Sequence, residues 1–205
     1  MQLVRSRDDH FGSADMNDGF LRLIVIDQGF EKEFFELADR LTDRVGIFFD
    51  IGANHGLLRF GLAGRHSGMI DFHLSEPNPK LVRSIELTRP LYPGMRLTLS
   101  TAAVSDHEGM VSFDINESHN GASHISSNGT GVEVPSIRLT ATSKRLTGCF
   151  CRAGDIPPRG GATHTFALVV PGHGAPLLPI AGRSIPATTD LLAVPKENLA
   201  AVGHR

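Results

Sequence analysis

The stretch that most limits what this chain can fold into is "VGIFFDIGANHGLLRFGLAG", residues 45–64. A strand with one face in water alternates apolar and polar residues, whereas Ile47, Phe48 and Phe49 are consecutive. Such a run marks a strand covered on both faces, as inside a parallel sheet. Gly52 and Gly56 then permit backbone turns that an ordinary side chain resists, before an apolar segment of helical spacing. Strand, glycine loop and helix make one βα unit, and a parallel sheet needs more of them.

The following residues supply them. "MIDFHLSE" predicts a second strand, "NPKLVRSIELTRP" a second helix with Leu81, Ile85 and Thr88 on one side, and "MRLTLSTAAVS" a third strand. Upstream, "FLRLIVI" reads as a short strand. "GFEKEFFELADRLTDRVG" spaces Phe30, Phe34, Leu37, Leu41 and Val45 as the apolar stripe of an amphipathic helix. Downstream, "HEG" between "AAVSD" and "MVSFDI" looks like the turn of a β-hairpin, and "VEVPSIRL" is a further extended segment. The alternation predicts an α/β sheet with right-handed crossovers.

With 205 residues, 40% apolar and a net charge of -2, the chain suits one soluble domain, with no basic tail for nucleic acid. No uncharged apolar window reaches 18 residues, so neither a membrane span nor a secretory signal is expected, and the expected compartment is the cytoplasm. Cys149 and Cys151 are too few and too close for a disulfide framework, and no histidine spacing completes a metal site. The triplets at Asn116 and Asn128 are then chance matches to the glycosylation acceptor.

The glycine loop points to a class of ligand. The dinucleotide fingerprint G-x-G-x-x-G seats a pyrophosphate on a helix N-terminus. Here the spacing is G-x-x-x-G, Asn54 replaces the middle glycine and Asp50 ends the strand. A carboxylate there disfavours pyrophosphate and favours a cationic ligand, which moves the reading from a nicotinamide dinucleotide to S-adenosyl-L-methionine. Glu76, 20 residues beyond Gly56, ends the second strand, where an acid accepts hydrogen bonds from the hydroxyls of a ribose. The plainer role for either acid is to cap the helix that follows.

"FFDIGANHG", "SEPNP", "AAVSDHEG" and "GASHI" occur in the order and approximate spacing of FkbM-type methyltransferases, which residues 46–139 resemble. The resemblance implies the class I methyltransferase fold, a Rossmann-like parallel sheet, with S-adenosyl-L-methionine as cofactor and a small-molecule acceptor such as a sugar hydroxyl. It implies that Asp50, Gly52, Ala53, Asn54 and Gly56 line the methionine part of the cofactor and that Glu76 holds its ribose. Ala103 is placed near the adenine and Asn78 beside the ribose acid. His55 reads as loop packing, His119 and His124 as parts of a polar loop, and Ser123 or His124 as near the acceptor. No catalytic residue is assigned.

The sequence changes character at residue 139. Residues 1–139 hold 19 acidic and 13 basic side chains; residues 140–205 hold 3 and 7, with seven of the twelve prolines. The Leu-Asp pair and the later acidic strand of FkbM-type proteins are missing. Residues 1–139 are therefore expected to form the cofactor-binding domain, and residues 140–205 an irregular tail, with "TFALVV" its one plausible strand. A lost base at codon 139 would explain the break, which leaves an incomplete C-terminal half, a bare edge beside the first strand and an inactive remnant as the alternative to an enzyme.

Overall fold

The computed structural model describes residues 1–5, 11–19, 21–22, 47–66, 68–105 and 108–138, and four strands beyond them. The expected helix over residues 29–46 lies outside the described residues. An antiparallel pair, β1 (Gln2–Arg5) and β2 (Phe11–Ala14), opens the chain and has no clear signature in the sequence. Of the strand expected over 20–26, Leu21 and Arg22 are described, and they are helical. The turn closes through the Arg22 N–H to the Asp18 carbonyl, and it buries Leu21 against Ala14 and Leu57.

Then come β3 (Ile47–Ile51), α1 (Leu57–Arg65), β4 (Asp71–Ser75), α2 (Pro79–Thr88) and β5 (Arg96–Ser100), in the expected alternation. β3, β4 and β5 are parallel and in register from Ile47↔Asp71 and Asp71↔Arg96 onward. Phe48 and Phe72 pack ring to ring across β3 and β4 with centroids 5.7 Å apart, both almost fully buried. α2 starts on Pro79, whose fixed φ suits the first helical turn, and Asn78 caps it by accepting from the Lys80 N–H at 3.0 Å. The helix buries Leu81, Val82, Ser84, Ile85 and Thr88.

Two details differ from the sequence expectation. The third strand ends at Ser100, and β6 (Ala103–Val104) belongs to a separate four-stranded sheet with β7 (Gly109–Asp114), β8 (His124–Ile125) and β9 (Val132–Ile137). The Ser75 hydroxyl, donating to the Ala102 carbonyl at 2.6 Å, ties down the corner between the sheets. β6 and β7 do not form the expected hairpin, because β9 lies between them, parallel to β6 and antiparallel to β7. That order closes a small core of Ala103, Val111, Phe113 and Val134.

The tail also departs from its expectation. β10 (Cys149–Ala153), β11 (Thr165–Val170), β12 (Leu178–Pro179) and β13 (Asp190–Pro195) extend the main sheet to the order β12-β11-β13-β10-β3-β4-β5. β10 runs parallel to β3, from Cys149↔Ile47 to Ala153↔Ile51, so the edge expected to be bare is paired. The C-terminal half supplies sheet where an incomplete or irregular one was expected. A central strand left with unpaired N–H and C=O groups is costly, and "CFC" is apolar enough to fill the place. β13 pairs antiparallel with β10, and β11 antiparallel with β13. The chain leaves β3 for β4 on one side and has β10 on the other, which makes the carboxyl end of β3 a topological switch point.

Candidate functional site

The loop after β3 is wound by three left-handed residues in alternation: Gly52 at φ 71°, Asn54 at 55° and Gly56 at 69°. Asparagine tolerates this conformation better than other side chains with a Cβ, so Asn54 performs the backbone task of a middle glycine. Its side chain then accepts from the His55 N–H at 2.8 Å. The two glycines serve different ends. A Cβ on Gly52 would meet nothing within 4 Å, whereas one on Gly56 would stand 3.0 Å from Phe60 and 3.2 Å from Ile85. What approaches Gly56 closely is therefore the apolar core.

The loop is fastened to the end of β4. Gly52 and Ala53 both donate their N–H groups to the Ser75 carbonyl. Glu76, only 4% exposed, then spans two loops: one carboxylate oxygen accepts from the Asn54 N–H at 2.8 Å and the other from the Asn78 N–H at 2.9 Å. Burial pushes its carboxyl up to about 7, against the pull of the two N–H groups and with a further push from nearby Asp50.

Glu76 stands on the wall of an open cleft. Gly52 and Asn54 share that wall. Ala103, Val104, Phe113 and Ile125 give the cleft apolar lining, and Asn120, Gly121, Ser123 and His124 line it as well. Among the described lining residues there is no lysine or arginine.

Of the residues expected to bind a cofactor, Gly52, Asn54, Glu76 and Ala103 meet in this cleft. Asp50, Ala53, Gly56 and Asn78 are not on its wall. Asp50 is 1% exposed and forms an ion pair with Arg59 of α1, whose guanidinium also lies 5.8 Å from the centre of the Phe48 ring. Ala53 and Gly56 are buried, and Asn78 is the cap of α2 and a donor to Glu76.

His55 is buried between Ser84, 3.0 Å from Nδ1, and Asp18, 3.0 Å from Nε2. Burial lowers its pKa, with Asp18 pulling the other way. The Ser-His-Asp order resembles a nucleophilic triad, but Ser84 is fully buried and donates its hydroxyl to the Ser13 carbonyl, so it has no substrate to attack. His119 is half-buried, and His124 is exposed on the cleft lining, its Nδ1 3.2 Å from the Ala122 carbonyl and its Nε2 3.8 Å from Asp114. Sequence reasoning missed Asp18, which has no local signal, and Asn120, which directly precedes the "GASHI" segment that could have marked it.

Among the described residues, no helix is long and apolar enough to cross a membrane. No protein-family model matches the chain, and no curated protein matches it. Among solved structures, a Pyrococcus horikoshii protein provisionally described as an RNA methyltransferase is similar at 14% identity, over 78% of each chain, with a TM-score of 0.33. That overlap is too loose to assign the fold or the activity of this chain.

Proposed function

We propose that the cleft binds S-adenosyl-L-methionine and that the chain transfers its methyl group to a hydroxyl of a small metabolite or sugar, as the resemblance of residues 46–139 to FkbM-type methyltransferases implies. The observation that carries the reading is Glu76. Both of its oxygens are fixed by backbone N–H groups, and a carboxylate has about four acceptor positions, so capacity remains for the two hydroxyls of a ribose. The acid directly follows β4 beside the switch point, where open α/β sheets bind nucleosides.

Two further features favour this ligand over a dinucleotide. A pyrophosphate would meet the Glu76 carboxylate and no lysine or arginine among the described lining residues, whereas a neutral nucleoside with a sulfonium escapes that repulsion. The apolar lining given by Ala103, Val104, Phe113 and Ile125 suits the flat face of an adenine. Asp50 contributes through Arg59 and the frame of the loop, without touching the ligand.

Bound, the cofactor would supply an activated methyl group on its sulfur, leaving the protein to align acceptor and methyl. β10, "CFCRA", carries no acid to serve as a base for the acceptor hydroxyl. The partner is thus a small-molecule acceptor, with no nucleic acid or membrane. Of the two features behind the inactive-remnant alternative, the bare edge is filled by β10, while the missing acid of that strand keeps the alternative in place.

Isothermal titration of S-adenosyl-L-methionine into the full chain tests the reading. Glu76→Ala should weaken binding by about 1 to 3 kcal/mol, the range for hydrogen bonds to a charged acceptor. A wild-type chain that takes up no cofactor, or a variant that binds it equally well, would sink the assignment.

A further inference from the structure

Behind the cleft runs a line of buried polar side chains that the proposed chemistry does not use. Asp18 is fully buried and lies 102 residues from Asn120, from which its Oδ1 accepts the backbone N–H at 3.1 Å and its Oδ2 the side-chain amide at 3.0 Å. Asn120, 3% exposed, accepts in turn from the Asn78 side-chain amide at 3.2 Å. Asn78, 1% exposed, gives its backbone N–H to Glu76 and takes the Lys80 N–H on its side-chain oxygen.

The directions of the bonds from Asp18 through Asn120 to Asn78 are determined. A carboxylate at Asp18 can only accept, so the Asn120 amide nitrogen must face it and the Asn120 oxygen must face Asn78. Asn78 then presents its nitrogen to Asn120 and its oxygen to the Lys80 N–H, which is the orientation an N-cap requires. On the other side of Asp18, the Ser84 hydroxyl proton goes to the Ser13 carbonyl, so His55 Nδ1 donates to Ser84. A proton must then sit between His55 Nε2 and Asp18 Oδ2. Reversing either amide would place two donors or two acceptors face to face in a buried site.

We infer that Asp18 and Asn120 are positioning residues of the cleft: Asp18 orients Asn120, a wall residue, and Asn120 orients Asn78, whose backbone N–H holds Glu76. The segment around Asp18, ahead of the whole βα framework, is thereby part of the binding apparatus. The inference rests on the proposed nucleoside reading of the cleft. It adds that the wall at Asn120 and the acid at Glu76 are set by one carboxylate remote from the ligand.

A charge-swap cycle read by S-adenosyl-L-methionine affinity tests it, with Glu76→Ala as the control. Asp18→Asn sets an amide nitrogen against the Asn120 amide, and Asn120→Asp sets two carboxylates together; each should weaken binding roughly tenfold, within the range of coupled neighbours. The double exchange restores a donor facing an acceptor at this contact and keeps the Asn120 position an acceptor for Asn78. It should therefore recover affinity to within about twofold, beyond what two independent losses allow. Thermal melting runs alongside, so that a loss of folded protein is separated from a loss of affinity. Should either single variant not fold, Asn120→Ser, which keeps the backbone N–H to Asp18 and loses the amide, carries the same expectation of weaker binding at intact fold. If Glu76→Ala weakens binding while the Asp18 and Asn120 variants bind as wild type, the positioning role is wrong and the functional reading stands. If the wild-type chain does not bind, the functional reading falls and this inference with it.

Discussion

Asp50 and Glu76 lie at the carboxyl ends of adjacent parallel strands, Asp50 just inside β3 and Glu76 just past β4, and look equivalent in sequence, yet the structure gives them opposite surroundings. Asp50 is answered by a full positive charge, the Arg59 guanidinium delivered by the next helix, and is sealed into the core. Glu76 is held by two backbone N–H groups, and burial drives its carboxyl up to about 7. The first acid supports the frame. The second remains chemically adjustable beside a cleft. What separates them is the element that follows: α1 carries an arginine on the face turned to its strand, while α2 begins with an asparagine cap that offers only amide hydrogens.

The largest test of that contrast is removal of the cation. Arg59→Met leaves a 1%-exposed carboxylate without its guanidinium and should cost about 3 to 5 kcal/mol in urea unfolding. The companion Asp50→Leu in the same chain should return most of that loss. If Arg59→Met is nearly neutral, Asp50 does not depend on its ion pair and the contrast fails.

Next in size is the pH dependence of Glu76. Its folded carboxyl titrates at about 7, above its value of 4.5 in the absence of burial, so the folded state holds the proton more tightly than the unfolded chain. The stability this contributes is present in full below the unfolded value and is lost as pH rises through about 7. The total loss is about 3 kcal/mol, because each tenfold difference in proton affinity between the folded and unfolded states is worth about 1.36 kcal/mol. Denaturation between pH 4 and 8 should show this fall in the wild type and a flatter profile in Glu76→Gln. Cofactor affinity should move the other way, rising with pH up to about 7, because two ribose hydroxyls need the ionised acceptor. Parallel stability profiles for the two chains would mean that Glu76 does not carry the titration.

The smallest effect lies in the loop between the two acids. Gly52→Ala meets no neighbour but keeps a left-handed backbone, so roughly 1 to 2 kcal/mol of strain is expected. Gly56→Ala adds contacts with Phe60 and Ile85 to the same strain and should melt at a lower temperature than Gly52→Ala. Equal melting temperatures would mean that the core around Gly56 yields without cost.

Much of the frame was legible in order and type. The consecutive apolar residues of β3, the Pro79 start and Asn78 cap of α2, and the acids at the strand ends are local signals, because strand and helix periods and cap chemistry act over a few residues. The break of β5 from β6 at Ser100 was not legible, since "MRLTLSTAAVS" is continuously strand-like and only the second sheet gives Ala103 and Val104 another partner. The sequence of the tail likewise suggested turns. Pairing with β3 makes a strand of Cys149–Ala153, whose local propensity is weak, because a central sheet position satisfies backbone groups on both sides.

Short windows of the chain therefore dictate the βα alternation, the left-handed loop and the presence of two strand-end acids. Which acid meets a cation and which faces a cleft emerges only in the assembled fold, because that depends on where α1 turns Arg59. The same holds for the line from Asp18 through Asn120 to Asn78. Its members are far apart along the chain and carry no local pattern, and the cost of leaving a buried polar group unpaired is what selects their partners once the fold has brought them together.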